Sequence, residues 1–578
     1  MNAQGLANFI WSVADLLRGD YKQASYGQVI LPFTVLRRID CVLANTKEDV
    51  LKKYNSVKNM NEDAIDKILN KASGYNFHNR SKFDFQKLLA EHDKIALNLR
   101  NYIAGFSVDA REILEKFKFD DQITNLDDKN LLFLVLESFS NIDLHPDKVS
   151  SMEMGYVFEE LIRKFAEISN ETAGEHFTPR EVIKLMVNLL FINDRDMLSK
   201  KGIVKTLYDC ACGTGGMLSV AEEYLKELNP DARLEVFGQE LNDESYAICK
   251  ADMIIKGQKA GNIKFGNSFT VDGFPNEKFD YCLVNPPFGV DWKKVQKSIK
   301  DEHNKEGFGG RFGAGLPRVS DGSLLFLQHL ISKMKPSNGG SRIAIVFNGS
   351  PLFTGSAGSG ESEIRKWVIE NDMLEAVVAL PDQLFYNTGI STYFWVVTNR
   401  KEPEHKGKVQ LVNAVSFFKK MSRSLGNKRH EISEDDIKTI TQVYGEYKEN
   451  KYCKIFNNSD FGYSRITVER PLIENGQVVT DKKGDPKPDA KLRDNENIPL
   501  KKGKTESSEK DIQEYIKKEV LPHVSDAWVD YSKTKVGYEI NFTKYFYEYK
   551  PLRSLAEIRA DILALEKETD GLLNEVIN

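Results

Sequence analysis

Six cysteines in 578 residues, Cys41, Cys210, Cys212, Cys249, Cys282 and Cys453, are too few and too scattered for a disulfide framework. They also lack the paired spacings of a zinc site, so no metal centre is expected and a reducing cytoplasm fits best. Missing too is any uninterrupted apolar run of membrane-spanning length. The opening MNAQGLANFIWSVADLLRGDY has neither the charged start nor the apolar run and cleavage site of a secretory signal, which argues against secretion and membrane insertion. Nor is there an excess of basic residues: 80 Lys and Arg face 85 Asp and Glu, a formal charge of −5. Without a global positive field, contact with nucleic acid falls to local patches or to a partner.

What is present is globular. Apolar residues make up 41% and charged residues 29%, and the length implies two or three domains. Residues 1–150 read as a helical domain, with apolar residues three and four apart in FIWSVADLLR and LLFLVLESFSNI. Residues 152–169 place Phe158, Leu161, Ile162 and Phe165 on one helical face. From about residue 178, short apolar runs alternate with helical segments. Strands are expected at KTLYDC, EVFGQE, NIKFGN, FDYCLVN, RIAIVF, EAVVAL and TYFWVVT, giving an α/β core over 151–425 with ligands at the carboxyl ends of its strands. The short connection LPDQLFYNTGIS leaves no room for a crossover, so TYFWVVT is expected to close the sheet antiparallel. Residues 426–578 are charge-rich. Within them, 475–504 reads as a polar linker or mobile insertion. The helix expected over 553–577 spaces Ile558, Ile562, Leu565, Leu572 and Val576 four and three apart, with Thr569 in one slot, a seam that wants a helical partner.

The segment YDCACGTGGMLSVAEEYL is a strand, a small-residue loop and a helix. Gly213, Gly215 and Gly216 let the backbone approach a ligand and turn into a helix whose first amides favour electron-rich groups. Glu240 ends the next strand, where an acidic side chain meets ribose hydroxyls. Neither GxGxxG nor GxxxxGK[ST] occurs here, so a nucleoside without phosphates, S-adenosylmethionine, is the expected ligand. Upstream, GEHFTPREVIKLM carries a capping box, with Thr178 as N-cap, Pro179 first in the helix and Glu181 third. Its free amides are positioned for the carboxylate of a methionine moiety.

The strand FDYCLVNPPFG, 279–289, ends in an Asn, two prolines and a Phe. Its NPPF resembles the catalytic motif of amino-group DNA methyltransferases, DCACGTGG their cofactor motif, and HFTP the cofactor segment that precedes it in the γ arrangement. Together with ALPDQLFYNTGIST, the chain resembles the modification subunit of type I restriction-modification systems over most of its length. The resemblance implies a Rossmann-like methyltransferase core, a seven-stranded, mostly parallel sheet with an antiparallel closing strand, between a helical N-terminal domain and a helical C-terminal region. The implied reaction moves a methyl group from S-adenosylmethionine to N6 of a flipped-out adenine. That amine is a poor nucleophile because its lone pair is delocalised into the ring. Acceptors at the Asn285 side chain and the Pro286 carbonyl favour a pyramidal nitrogen, and the prolines fix the backbone that carries them. Phe288 is positioned to stack on the extruded base, with Phe385 as the second face.

By the same resemblance, cofactor contacts fall on Glu175, His176, Phe177, Thr178, Pro179 and Arg180, then on Asp209, Cys210, Gly213, Thr214, Gly215 and Gly216. Glu240, Asn267 and Ser268 complete the set. Asn267 departs from the Asp common at its place in the family. His176 reads as pocket lining rather than as a base. Implied partners are double-stranded DNA, a specificity subunit, a second modification subunit and a restriction subunit, with the 553–577 helix as the docking surface. Two basic clusters, Lys293, Lys294, Lys297 and Lys300, and Lys419, Lys420, Arg423, Lys428 and Arg429, are candidate phosphate contacts. Other readings stay open on the residues alone: a standalone amino methyltransferase of another DNA base, RNA or a protein glutamine, or a noncatalytic assembly subunit that binds the cofactor.

Overall fold

Runs such as RIAIVFN and TYFWVVT are apolar along nearly their whole length, as strands covered on both faces must be. Both lie buried in the middle of a nine-stranded sheet in the computed structural model, which describes residues 3–169, 178–194, 198–336, 339–386, 388–549 and 553–577. Its strands are β1 (Val204–Asp209), β2 (Arg233–Glu240), β3 (Ile263–Phe265), β4 (Tyr281–Val284), β5 (Arg342–Asn348), β6 (Leu374–Ala379), β7 (Thr392–Thr398), β8 (Lys408–Asn413) and β11 (Cys453–Asn457); a separate ribbon pairs β9 (Lys419–Leu425) with β10 (Lys428–Glu431). The order is β11-β8-β6-β7-β5-β4-β1-β2-β3. β7 slots between β5 and β6 antiparallel to both, and β11 is antiparallel to β8; the remaining neighbours are parallel. The order reverses at β1, where β2 and β4 diverge. There a crevice opens at the carboxyl edge.

All seven strands read from the sequence are present, and two more widen the sheet. In β8 the apolar run is broken by Gln410, and in β11 only Ile455 and Phe456 are apolar neighbours, so neither stands out from the charged sequence around it. β11 also carries the sheet past residue 425, where the core was expected to end.

The N-terminal helices share one core. Phe33 packs edge-on against Phe119 at 4.8 Å and stacks on Phe139 at 5.5 Å. The same core takes in Ala247, Ile248, Ala251 and Ile254 from the helix Asp243–Ile255, which follows β2. Lys250 on that helix, 4% exposed, donates to Glu112 at 2.6 Å, and Tyr246 donates to the same carboxylate at 3.0 Å.

Beyond the main sheet, β12 (Gly462–Glu469) lies between β15 (Asp494–Pro499) and β16 (Trp528–Tyr538), with a small hairpin of β13 (Ile473–Glu474) and β14 (Gln477–Val478). Ile466, Val468 and Ile498 pack under Ile512 and Ile516. The 475–504 stretch is thus not an unpaired linker: β14 pairs with β13, and β15 pairs along β12. Its polarity is that of an edge strand, which carries charge to deter further pairing. The chain divides into Met1–Ile540 and Asn541–Asn578. In the second unit, Ser554 and Glu557 cap one another's backbone amides and start the helix Leu555–Ile577, on which Leu555, Ile558 and Ile562 are exposed. The side chains of Leu572 and Val576 lie outside the described residues. No helix among the described residues is long and apolar enough to cross a membrane.

One buried ion pair ties the far half of the sheet together. Arg342 at the start of β5 meets both oxygens of Glu375 on β6 at 2.8 and 2.9 Å, and both side chains are 1% exposed. Arg342 also donates to the carbonyl of Leu190 at 3.0 Å, and Tyr444 donates to Glu375. Burial opposes the Glu375 charge, but the Arg342 guanidinium overcomes it and holds the carboxyl below its ordinary range. Removing one partner strands a charge, whereas removing both does not. Arg342→Met should therefore cost about 3–5 kcal/mol in urea denaturation, and the R342M/E375M double variant clearly less.

Candidate active site

Loop geometry at the end of β1 is set by glycine. Gly215 has φ +85°, and a Cβ there would lie 2.8 Å from the Cys249 sulfur, so only glycine begins the helix Gly216–Leu228 in this way. The loop is then stitched to β2. Glu240 accepts the Gly213 amide at 2.8 Å through Oε2, and the Leu241 and Asn242 amides at 2.8 and 2.7 Å through Oε1. Asp209 is buried and accepts the Ala211 amide at 3.0 Å; burial, with the Glu240 charge adding to it, pushes its carboxyl up to about 8.

The segment after β3 forms the opposite wall. Ser268 donates to the Cys210 carbonyl at 2.6 Å, and one lone pair of Asn267 Oδ1 takes the Phe269 amide at 2.9 Å. Arg311 pins this wall from behind, donating to the Ser268 and Phe269 carbonyls at 2.7 Å each while Glu302 holds its other edge. His329 lies 3.2 Å from Arg311 and 3.1 Å from the Tyr208 hydroxyl. Burial pushes its imidazole down to about 3, so it is neutral.

Between the walls lies a cleft of about 600 Å³, lined among others by Cys210, Glu240, Asn267, Ser268, Asn285 and Pro287. A smaller recess adjoins it, bounded by Glu159, Thr178, Asp209, Gly213, Thr214 and Gly216, and again by Asn285. Asn285 thus faces both, directly after β4. Its Oδ1 is buried with no protein donor. An amide oxygen in that state is able to accept a hydrogen bond from a ligand N–H.

Arg180 and Glu159 meet beside the recess at 3.3 Å. Arg180 lies over the Tyr156 ring at 4.1 Å, and its Nε and Nη1 are buried without acceptors. The helix here begins at Arg180, not at Pro179: Pro179 is the N-cap with ψ 139°, its carbonyl taking the Val182 and Ile183 amides at 2.9 and 3.0 Å. The expected capping box is absent: Pro179 as N-cap has neither a side-chain acceptor nor an N–H to give Glu181, which pairs with buried Lys428. Glu175, His176 and Phe177 lie outside the described residues.

Phe288 is half-buried and Phe385 buried, with ring centroids 6.3 Å apart and planes at 74°. They meet edge to face rather than as two parallel surfaces.

Residues 150–465, more than half of the chain, match the family described as N-6 DNA Methylase. The chain belongs to that family. Residues 6–139 match the HsdM N-terminal domain, which accounts for the N-terminal helices. Among curated relatives, the Type I restriction enzyme MjaIX methylase subunit of Methanocaldococcus jannaschii is 27% identical over 488 residues, 82% of each protein. The EcoKI methylase subunit of Escherichia coli K12 is 25% identical over 55% of this chain and 62% of that protein. The fold is similar to the crystal structure of a type I restriction-modification methyltransferase subunit from Streptococcus thermophilus, with TM-score 0.61 and 23% identity, covering 80% of this chain and 97% of that one. As an N-6 DNA methylase, the chain is an adenine-specific DNA methyltransferase.

Two residues of the candidate site carry no sequence signal of their own. Arg311 lies more than forty residues from the loop it braces, and no spacing marks it. Glu159 belongs to the amphipathic helix Ser151–Ser169 and stands in no motif, and the fold buries it. Burial pushes Glu159 up to about 7, against the pull of Arg180 and with the Glu181 charge adding to the rise. A carboxyl raised on folding binds its proton more tightly in the folded state, so its contribution to stability falls as pH rises from its ordinary value to 7 and then levels. Glu159→Gln should therefore match the parent near pH 4.5 and exceed it by about 3 kcal/mol above pH 7, as read by urea denaturation at both pH values.

Proposed function

We propose that this methylase is the modification subunit of a type I restriction-modification system, methylating N6 of an adenine flipped out of duplex DNA at a site read by a separate specificity subunit. The observation that carries the reading is the unpartnered Asn285 Oδ1 at the junction of cleft and recess. Its relatives' description as methylase subunits supports a division of labour in which sequence reading is borrowed.

The site suits S-adenosylmethionine as methyl donor. When bound, that cofactor supplies an electrophilic methyl group on a sulfonium centre. Glu240, aimed by three backbone amides, accepts from the ribose hydroxyls; Asn267 and Ser268 receive the adenine end, with Cys210 in the wall. In the recess, Glu159 and Asp209 attract the α-ammonium group. The amides after Thr178 and the Gly213–Gly216 turn receive the carboxylate, with Arg180, whose Nε and Nη1 have no acceptor, behind Glu159. Asn285 and the Pro286 carbonyl accept the two hydrogens of the target amine, turning its lone pair toward the methyl group. Phe288 stacks on the base, and Phe385, fixed in the core, buttresses its edge. A base held between both rings requires Phe288 to rotate, since they now stand at 74°.

The further assembly assigns the second modification copy and the restriction subunit to surfaces outside this site, and gives the specificity subunit the exposed apolar residues of the 555–577 helix. Removing residues from 553 onward should abolish co-purification with that subunit. For the chemistry, the chain, its specificity partner, labelled cofactor and duplex DNA should yield N6-methyladenine; label on N4 of cytosine or on protein would overturn the reading. Asn285→Ala should lower the rate on the order of 10²–10³-fold with cofactor affinity kept. Glu159→Gln should do the reverse, weakening cofactor binding at least tenfold by calorimetry.

A further inference from the structure

The ribbon β9–β10 has no core of its own. Both faces of β9 are largely solvated, and an isolated two-stranded hairpin is marginal in water. It is nonetheless held in place. Asn427 donates its backbone amide to the Tyr386 carbonyl at 2.8 Å, and Arg429 donates its own to Gln383 at 2.9 Å. Lys428, 3% exposed, reaches back to the Leu384 carbonyl at 3.0 Å and to Glu181. Each anchor falls on the loop that carries Phe385 or on the helix that starts beside the recess.

What the ribbon presents is charge. Lys419, Lys420, Arg423 and Arg429 are exposed, and among the described residues none of the four forms an ion pair. Lys428, grouped with them in the sequence, is a buried brace and not part of this surface. Topology fixes the side on which they emerge. β4, β6 and β8 run in the same direction, so the chain leaves all three at one edge of the sheet. From β4 that exit leads through NPPF to Lys293, Lys294, Lys297 and Lys300, also exposed and without ion pairs among the described residues; from β6 it leads to Phe385, and from β8 to the ribbon. On a chain of net charge −5, unpaired cations gather on the edge that holds the cleft.

We propose that the ribbon Lys419–Glu431 is a phosphate-gripping arm, in which Lys419, Lys420, Arg423 and Arg429 contact the sugar–phosphate backbone of duplex DNA beside the base being extruded. The assignment rests on the proposed adenine methylation for its substrate. A rigidly anchored cationic ribbon holds the duplex in register with Phe288 and Asn285 while base reading is done elsewhere, which is the division between positioning and specifying contacts.

The test is the salt dependence of binding by the full-length chain to a fluorescent duplex, followed by anisotropy from 50 to 200 mM salt. Each phosphate contact contributes about 0.9 to the slope of log affinity against log salt. K419Q/K420Q should lower that slope by roughly 2, and adding R423Q/R429Q by roughly 2 more. The equal charge change K52Q/K53Q, on the helix Lys47–Val57, should leave it within about 0.5. Calorimetric binding of S-adenosylmethionine should be the same in every variant. The proposal is overturned if the ribbon variants keep the parental slope, if the K52Q/K53Q control loses as much, or if the parent chain shows no duplex binding. It is equally overturned if the ribbon variants lose only their association with a protein partner. Failure of the enzymatic reading is distinguishable, because it appears as methyl label away from adenine N6 whatever the salt slopes show.

Discussion

The site depends on one carboxylate receiving three backbone amides. Glu240 takes the Gly213 amide from the glycine loop and the Leu241 and Asn242 amides from its own turn, joining the ends of β1 and β2. Amide donors converging on one anion are charge-assisted and directional, so the loop has little freedom once Glu240 is in place. The helix Asp243–Ile255 begins immediately beyond, and its far face is built into the N-terminal core. One side chain thereby sets the position of the glycine turn, the mouth of the cleft and the attachment of the N-terminal domain.

The recess shows the opposite economy. Glu159 and Arg180 are buried close together, yet Arg180 keeps two donors idle and the Glu159 carboxyl is held near neutrality by burial. Folding alone would favour apolar residues at these positions. Their presence is understandable if a zwitterionic group completes them, because the two Arg180 donors that Glu159 leaves unused then gain an acceptor.

Motifs with fixed local geometry were legible in the sequence. The glycine turn, the acid closing β2 and the NPPF exit from β4 are each determined within a few residues, and all lie where strand order and polarity imply. What stayed illegible depends on distant partners. Arg311 acquires its role only when residues 268–269 and 302 converge on it. The partner of Glu181 is Lys428, some 250 residues away, which no local pattern signals. β8, β11 and β15 were missed because edge and near-edge strands need little hydrophobicity when a neighbour supplies the hydrogen bonds.

The slot between β5 and β6 also constrains how the chain reaches its native state. β7 follows β6 in the chain but lies between β6 and β5, so β6 cannot pair with β5 as it forms without closing the place β7 needs. β6 and β7 pair antiparallel across one short connection, so together they make a hairpin in the middle of the sheet. The turn of that hairpin is the loop bearing Phe385, so the segment proposed to receive the base is tethered at both ends to strands that have neighbours on either side.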